Sequence, residues 1–311
     1  MRIVFMGTPD FAVESLKVLV ENNYNVVGVV TMPDKPAGRG HKLQYSPVKQ
    51  YALEHNLTLL QPEKLKDENF LSELRELKAD LQIVVAFRML PEVVWNMPSK
   101  GTFNLHASLL PQYRGAAPIN WAIINGEKET GATTFFLTHE IDTGKVILQE
   151  KTPIAETDNA GVVHDKLMTM GAQMVRKTVD LIEKDDIKPI EQSEFGLNES
   201  SLKAAPKIFK ETCEIDTTKS VEEVYNFVRG LSPYPGAWME VIFPELNEKI
   251  TLKVFETEKD YTPHSLEAGS LVTDGKKSAK IALKDGFVVL KSIQAAGKKR
   301  MDIGEFLRGL R

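Results

Sequence analysis

Apolar and polar positions follow two rhythms along this chain, and the change between them falls near residue 205. In the first part, unbroken apolar runs of strand length ("RIVFMG", "VVGVVTM", "LQIVVAF") alternate with stretches whose apolar residues sit three and four apart. "PDFAVESLKVLVENN" places Phe11, Val13, Leu16, Leu19 and Val20 at helical spacing. "SPVKQYALEHN" offers Ser46 as a cap with Pro47 at the first helical position. "GTFNLH" and "ATTFFLTH" read as further strands, and Asn69 to Leu77 and "APINWAIING" as helices, the second closing at Gly126. Residues 160–184 sustain the helical period longest. Strands that are apolar throughout, alternating with helices, predict a mostly parallel sheet covered on both faces. The expected class is α/β, with a Rossmann-like N-terminal sheet.

Beyond that helix the periodicity lapses. "DDIKPIEQSEFGLNESSLKAAPKIFKE" holds two prolines and reads as a linker. One helix, "SVEEVYNFVRGL", then precedes a series of short alternating strands: "WMEVIF", "KITLKVFETE", "GSLVTD", "SAKIALKDG" and "FVVLKSIQ". Asp-Gly pairs at 274–275 and 285–286 mark turns between them. This second rhythm predicts a small OB-like β-barrel, a fold that often meets nucleic acid. The expected division is a domain over 1–188, a linker over 189–206 and a barrel over 207–311.

Composition narrows the setting. No apolar run approaches membrane-spanning length, and the short run after Met1 lacks the form of an export signal, so the expected compartment is the cytoplasm. One cysteine, Cys213, leaves no partner for an intramolecular disulfide and no thiolate cluster, and no metal is expected. No coiled-coil pattern appears, which favours a monomer. Charge is uneven: residues 1–205 carry 22 Lys/Arg against 27 Asp/Glu, and residues 206–311 carry 17 against 16. The second part is relatively basic, which permits a nucleic-acid patch without demanding one.

The candidate chemistry gathers in "FNLHASLLPQYRGAAPINW". If "FNLH" is extended, Asn104 and His106 project from one face of the strand. An amide and an imidazolium aimed at one spot suit a developing oxyanion on an acyl centre. The spacing alone also fits two satisfied polar groups at a strand end. In "THEIDTGKVI", Asp142 sits on a turn from which it could orient His106, with His139 a second choice. Motifs for dinucleotides, P-loops, zinc proteases and α/β-hydrolases are absent, so an acyl-handling site here implies direct transfer between bound substrates. "MPDKPAGRGHKLQYSPVK" is a basic loop holding Lys35, Arg39, Lys42 and Lys49, suited either to solvent or to phosphates.

"MRIVFMGTPDFAV", "PDKPAGRGHKLQYSPVK", "FNLHASLLPQYRGAAPINWAI", "ETGATTF", "IDTGKVI" and "LSPYPGAW" resemble, in this order and over essentially the whole chain, the methionyl-tRNA formyltransferase family of 10-formyltetrahydrofolate-dependent enzymes. The resemblance implies formyl transfer from 10-formyltetrahydrofolate to methionine on initiator tRNA. It implies Asn104, His106 and Asp142 as the catalytic trio, with folate along Ser108, Leu109, Leu110 and Pro111. The pterin would lie against the backbone of Phe87, Arg88, Met89 and Leu90. The loop with Lys35, Arg39 and Lys42 would face tRNA, and Lys203, Lys207 and Lys210 would add phosphate contacts. One departure is "AFRMLP", where many relatives have a glycine and one more residue before the proline. An amino-sugar formyltransferase, a formyltetrahydrofolate hydrolase, and an RNA-binding protein without catalysis remain the alternatives.

Overall fold

The structure, a computed structural model, describes residues 1–37, 42–246 and 248–310. Its first sheet has seven strands. From one edge they run Val146–Pro153, Glu129–Phe136, Thr102–His106, Leu81–Val85, Arg2–Gly7, Asn25–Val30 and Leu59–Leu60. The five strands from Thr102–His106 to Leu59–Leu60 pair in parallel, and Glu129–Phe136 joins antiparallel. Ile3, Val4, Phe5 and Met6 are buried, as is every residue of Leu81–Val85, which is what burial on both faces requires of an apolar run.

The helices form where the helical spacing places them. Asp10–Glu21 buries Phe11, Ala12, Leu16 and Leu19. Pro47–Glu54 starts as expected, with the Ser46 hydroxyl accepting from the Lys49 amide. The long helix Ala160–Glu183 approaches the strand Thr102–His106 through Gly171, where an added Cβ would lie 2.7 Å from a Leu105 methyl. Leu105 therefore packs under this helix while its neighbours Asn104 and His106 face the other way. Strand alternation thus sets the side on which chemistry takes place.

Some elements lie outside the sequence reading. The basic loop is partly a hairpin, with Lys35–Ala37 antiparallel to Lys42–Gln44. Its tip, including Arg39, lies outside the described residues. The others include the strand Val146–Pro153, the short paired strands Arg114–Gly115 and Ala204–Ala205, and the helices Glu92–Trp95 and Ile303–Arg308, the last capped by Asp302.

The chain divides into two units: residues 1–115, 131–152 and 164–204, and residues 116–130, 153–163 and 205–311. Two stretches from the first rhythm thus fold with the second unit. Helical spacing says which residues of Pro118–Ile124 are covered, but not what covers them. Inside the second unit, Asn120 donates to the Gly230 carbonyl at 2.8 Å, and a Cβ on Gly230 would lie 2.6 Å from Ile124. The helix Val221–Gly230 opens with a capping box between Ser220 and Glu223.

The remaining strands of that unit form one antiparallel sheet in the order Ala237–Val241, Ile250–Asp260, Gly286–Ala295, Ala279–Leu283 and Leu271–Thr273, with Met301–Asp302 beside Gly286–Ala295. The register of Ile250–Asp260 shifts near Glu256, and such bulges bend a strand. The expected OB-like architecture takes the form of a curled half-barrel around Val224, Val228, Phe243, Leu252, Ile281 and Ile293. Among the described residues no helix is long and apolar enough to cross a membrane, and no cluster of His, Cys, Asp or Glu could hold a metal.

Candidate active site

Two parallel strands, Leu81–Val85 and Thr102–His106, end side by side, with Val85 opposite Leu105. Ligands of such sheets bind beyond the carboxyl ends of the strands. Asn104 is half-buried, and among the described residues its amide has no hydrogen-bond partner. His106 is 6% exposed. Its Nε2 lies 2.9 Å from the Tyr113 carbonyl, and a carbonyl only accepts, so Nε2 carries hydrogen. Nδ1 is thereby left as the nitrogen free to gain or lose a proton.

Nδ1 faces Asp142, whose Oδ2 is 3.8 Å away. That is beyond a hydrogen bond and within an ion pair. The grip that orients His106 is therefore the Tyr113 carbonyl, while Asp142 lies across an open gap. Asp142 is itself fixed, with Oδ2 accepting from the Gly115 amide at 2.9 Å. Its backbone is left-handed, at φ 57°, as Asp tolerates in a tight turn. His139 takes no part: it is exposed and pairs with Glu92.

The turn is held by a residue that sequence reasoning placed in the linker. Gln192 is 4% exposed. Its Nε2 donates to the carbonyls of Asp142 (2.8 Å) and Gly144 (3.0 Å). Its Oε1 accepts from Arg114 Nε (3.1 Å) and Nη2 (2.6 Å). One glutamine thus ties the aspartate turn to the arginine that follows "SLLPQY". From the same linker, the Lys203 amide donates to Gln112 and its carbonyl accepts from Tyr113, the residue that grips His106.

Of the "SLLP" segment, Ser108, Leu110 and Pro111 are buried and Leu109 half-buried. The Ser108 hydroxyl donates to the Gln112 carbonyl. Thr133 is the hub of this loop: its hydroxyl donates to Ser108 O (2.6 Å) and accepts from Leu110 N (3.1 Å) and Gln149 Nε2 (3.0 Å). These side chains build the loop. After Leu81–Val85 the chain turns through Ala86 at φ 47°, a strained setting for a residue with a Cβ. Phe87 is half-buried, Leu90 buried, and Met89 is 74% exposed. Arg88 spends its guanidinium on the carbonyls of Pro62 and Glu63, and burial pulls its pKa below the usual arginine value.

The expected RNA-contacting residues are spread along the chain. Lys35 and Lys42 stand on the hairpin strands, and Lys203 lies in the first unit. Lys207 and Lys210 lie in the second unit, where they line a cavity.

Two family models match the chain: "Formyl transferase" over residues 1–179 and "Formyl transferase, C-terminal domain" over residues 207–311. A methionyl-tRNA formyltransferase of Bacteroides thetaiotaomicron is 68% identical over 311 residues, all of this chain and 96% of that protein. One of Flavobacterium johnsoniae is 55% identical over all of this chain and 96% of that protein. Among solved structures, HypX of Aquifex aeolicus in complex with tetrahydrofolic acid is similar at TM-score 0.65 and 19% identity, covering 100% of this chain and 47% of HypX. An N-formyltransferase of Helicobacter canadensis with folinic acid and dTDP-3-aminofucose is similar at TM-score 0.64 and 21% identity, covering 96% of this chain and 99% of that one.

Proposed function

Because the chain belongs to the methionyl-tRNA formyltransferase family, we propose that it transfers a formyl group from 10-formyltetrahydrofolate to the α-amine of methionine on initiator tRNA. The observation that carries the chemistry is His106, gripped at Nε2 by a carbonyl and open at Nδ1 toward Asp142, beside an unpartnered Asn104 amide. The residues suit a folate donor: an apolar edge at Phe87 and Met89 lies in the turn that follows the strand paired with residues 102–105, next to His106. Bound 10-formyltetrahydrofolate supplies the formyl carbon as the electrophile. As the amine adds, negative charge collects on the formyl oxygen, and the Asn104 amide donates to it. A preorganised donor of this kind is worth about 3 kcal/mol.

His106 and Asp142 manage protons. The attacking amine sheds one, and the departing folate nitrogen gains one. A group seated beside both Nδ1 and Oδ2 can bond to each across their 3.8 Å gap, so a proton can pass between them. Protonated His106 also adds positive charge beside the developing oxyanion. Holding both substrates at one sheet edge contributes further by orientation. In this reading folate lies along Ser108, Leu109, Leu110 and Pro111 and the backbone of 87–90. Lys35, Arg39, Lys42, Lys203, Lys207 and Lys210 meet tRNA phosphates. The functional division follows 1–188, 189–206 and 207–311, in a cytoplasmic monomer that binds no membrane.

The test offers the protein 10-formyltetrahydrofolate with initiator Met-tRNA, elongator Met-tRNA, a UDP-amino sugar or no acceptor. Formylation confined to initiator Met-tRNA is expected. Formylation of the sugar, or tetrahydrofolate release without an acceptor, would overturn the assignment.

A further inference from the structure

A cavity of about 450 Å³ opens within the second unit. Its walls include Lys207, Phe209 and Lys210, then Tyr234 and Trp238, and Lys253 on the long bulged strand. The volume lies within the range of ligand pockets, about 300–1,000 Å³. Among the described residues that line it there is no carboxylate, so nothing neutralises the three lysines from within. Neither Lys207 nor Lys210 has an ion-pair partner among the described residues.

The walls are braced. Trp238 Nε1 donates to the Lys210 carbonyl at 2.8 Å, and Lys253 Nζ donates to the Pro235 carbonyl at 3.0 Å. Two aromatics are nevertheless left in water: Tyr234 is 82% exposed and Phe209 53%. Lys207 Nζ stands 5.4 Å from the Phe209 ring centroid, so a cation and a π-face are already paired at the rim.

Exposed aromatic faces beside unpaired lysines, in a concave site without acids, match a ligand with a flat π-face and an anionic link. A nucleotide has both. A paired base hides its faces within the stack, and a duplex is too wide for this cavity, whereas an unpaired base can stack on a side chain. We propose that this cavity is a subsite for one unpaired nucleotide of the RNA substrate, its base against Phe209 and Tyr234 and its phosphates on Lys207 and Lys210. The proposal rests on the tRNA-modifying function above and gives the second unit a defined share of that substrate.

The test measures binding of fluorescently labelled initiator tRNA at several salt concentrations, for the wild-type protein and for Phe209→Ser, Tyr234→Ser and Lys210→Gln. These side chains project into solvent or the cavity, and thermal unfolding checks that each variant stays folded. Each serine variant should bind at least about fivefold more weakly, the change that about 1 kcal/mol of lost stacking makes. Its salt dependence should match that of the wild type, because stacking releases no counterions. Lys210→Gln should weaken binding and lower the salt slope by about one. Wild-type affinity, within twofold, in both serine variants overturns the subsite. Formylation assays with the wild-type protein separate the two levels: wild type active on Met-tRNA with unaffected serine variants sinks only the subsite, whereas wild type inactive on Met-tRNA sinks the function.

Discussion

The strand Thr102–His106 presents two side chains from a ladder of backbone hydrogen bonds, whereas the segment 189–206 reaches the same site through one buried amide and the backbone of Lys203. The strand is paired on both sides and pinned underneath by Leu105 against Gly171, so Asn104 and His106 have little freedom of place. The segment has only short pairings, Ala204–Ala205 with Arg114–Gly115 and a bridge from Ile190 to Val146, and Gln192 adds by four polar contacts what a long strand supplies by regular pairing. Two of the three groups proposed to react, Asn104 and His106, stand on the rigid element, and the third, Asp142, stands on a turn. The parts that set their surroundings are held from loops.

The comparison breaks or sharpens under substitution. The largest effect belongs to the strand: Asn104→Ala should lower kcat about a hundredfold or more while leaving the thermal midpoint nearly unchanged, since the amide has no partner to lose. Steady-state formylation and a melting curve read both, and a variant with wild-type turnover removes Asn104 from the chemistry. Thr133→Val strikes the hub of the "SLLP" loop and strands a buried backbone carbonyl and amide. A loss of about 2 kcal/mol in denaturant unfolding is expected, and no loss would mean that the loop is held by other contacts. Gln192→Ala should cut kcat about tenfold, through an Asp142 turn no longer tied down. If it costs as much as Asn104→Ala, the distinction between reacting groups and supports fails.

The smallest effect lies away from the site. Lys280 donates to Asp260 and holds its carboxyl at about 2, below the usual value near 4. Because the folded value is the lower one, this pair stabilises fully above the unfolded value and loses its contribution as pH falls from about 4 to about 2. The pair is partly exposed, so Lys280→Met should remove less than about 1 kcal/mol at neutral pH and nothing below pH 2. Equal destabilisation at both pH values would assign the loss to packing on Phe287.

Much of this was legible in the chain. Period-two alternation placed Asn104 and His106 together, apolar runs gave the parallel sheet, and a turn marked Asp142. What escaped had no signature to read. The group that orients His106 is a backbone carbonyl, and Tyr113 holds it from a left-handed conformation that its residue type does not suggest. Gln192 lies in an aperiodic stretch, where a polar residue looks like solvated linker until its burial is seen. Ser108 and Leu110 are buried, which the segment "SLLP" does not disclose by itself. The segments 116–130 and 153–163 carry the first unit's rhythm but fold with the second, because local spacing does not name a distant partner.

That interleaving sets a timetable for synthesis. Asn120 leaves the ribosome 110 residues ahead of Gly230, the residue whose carbonyl it bonds. At about 5–20 residues per second, the helix Pro118–Ile124 waits roughly 5–20 s for its neighbour. The nascent second unit therefore cannot close until nearly the whole chain has emerged, and a ribosome stalled midway holds an apolar helix with nothing to cover it.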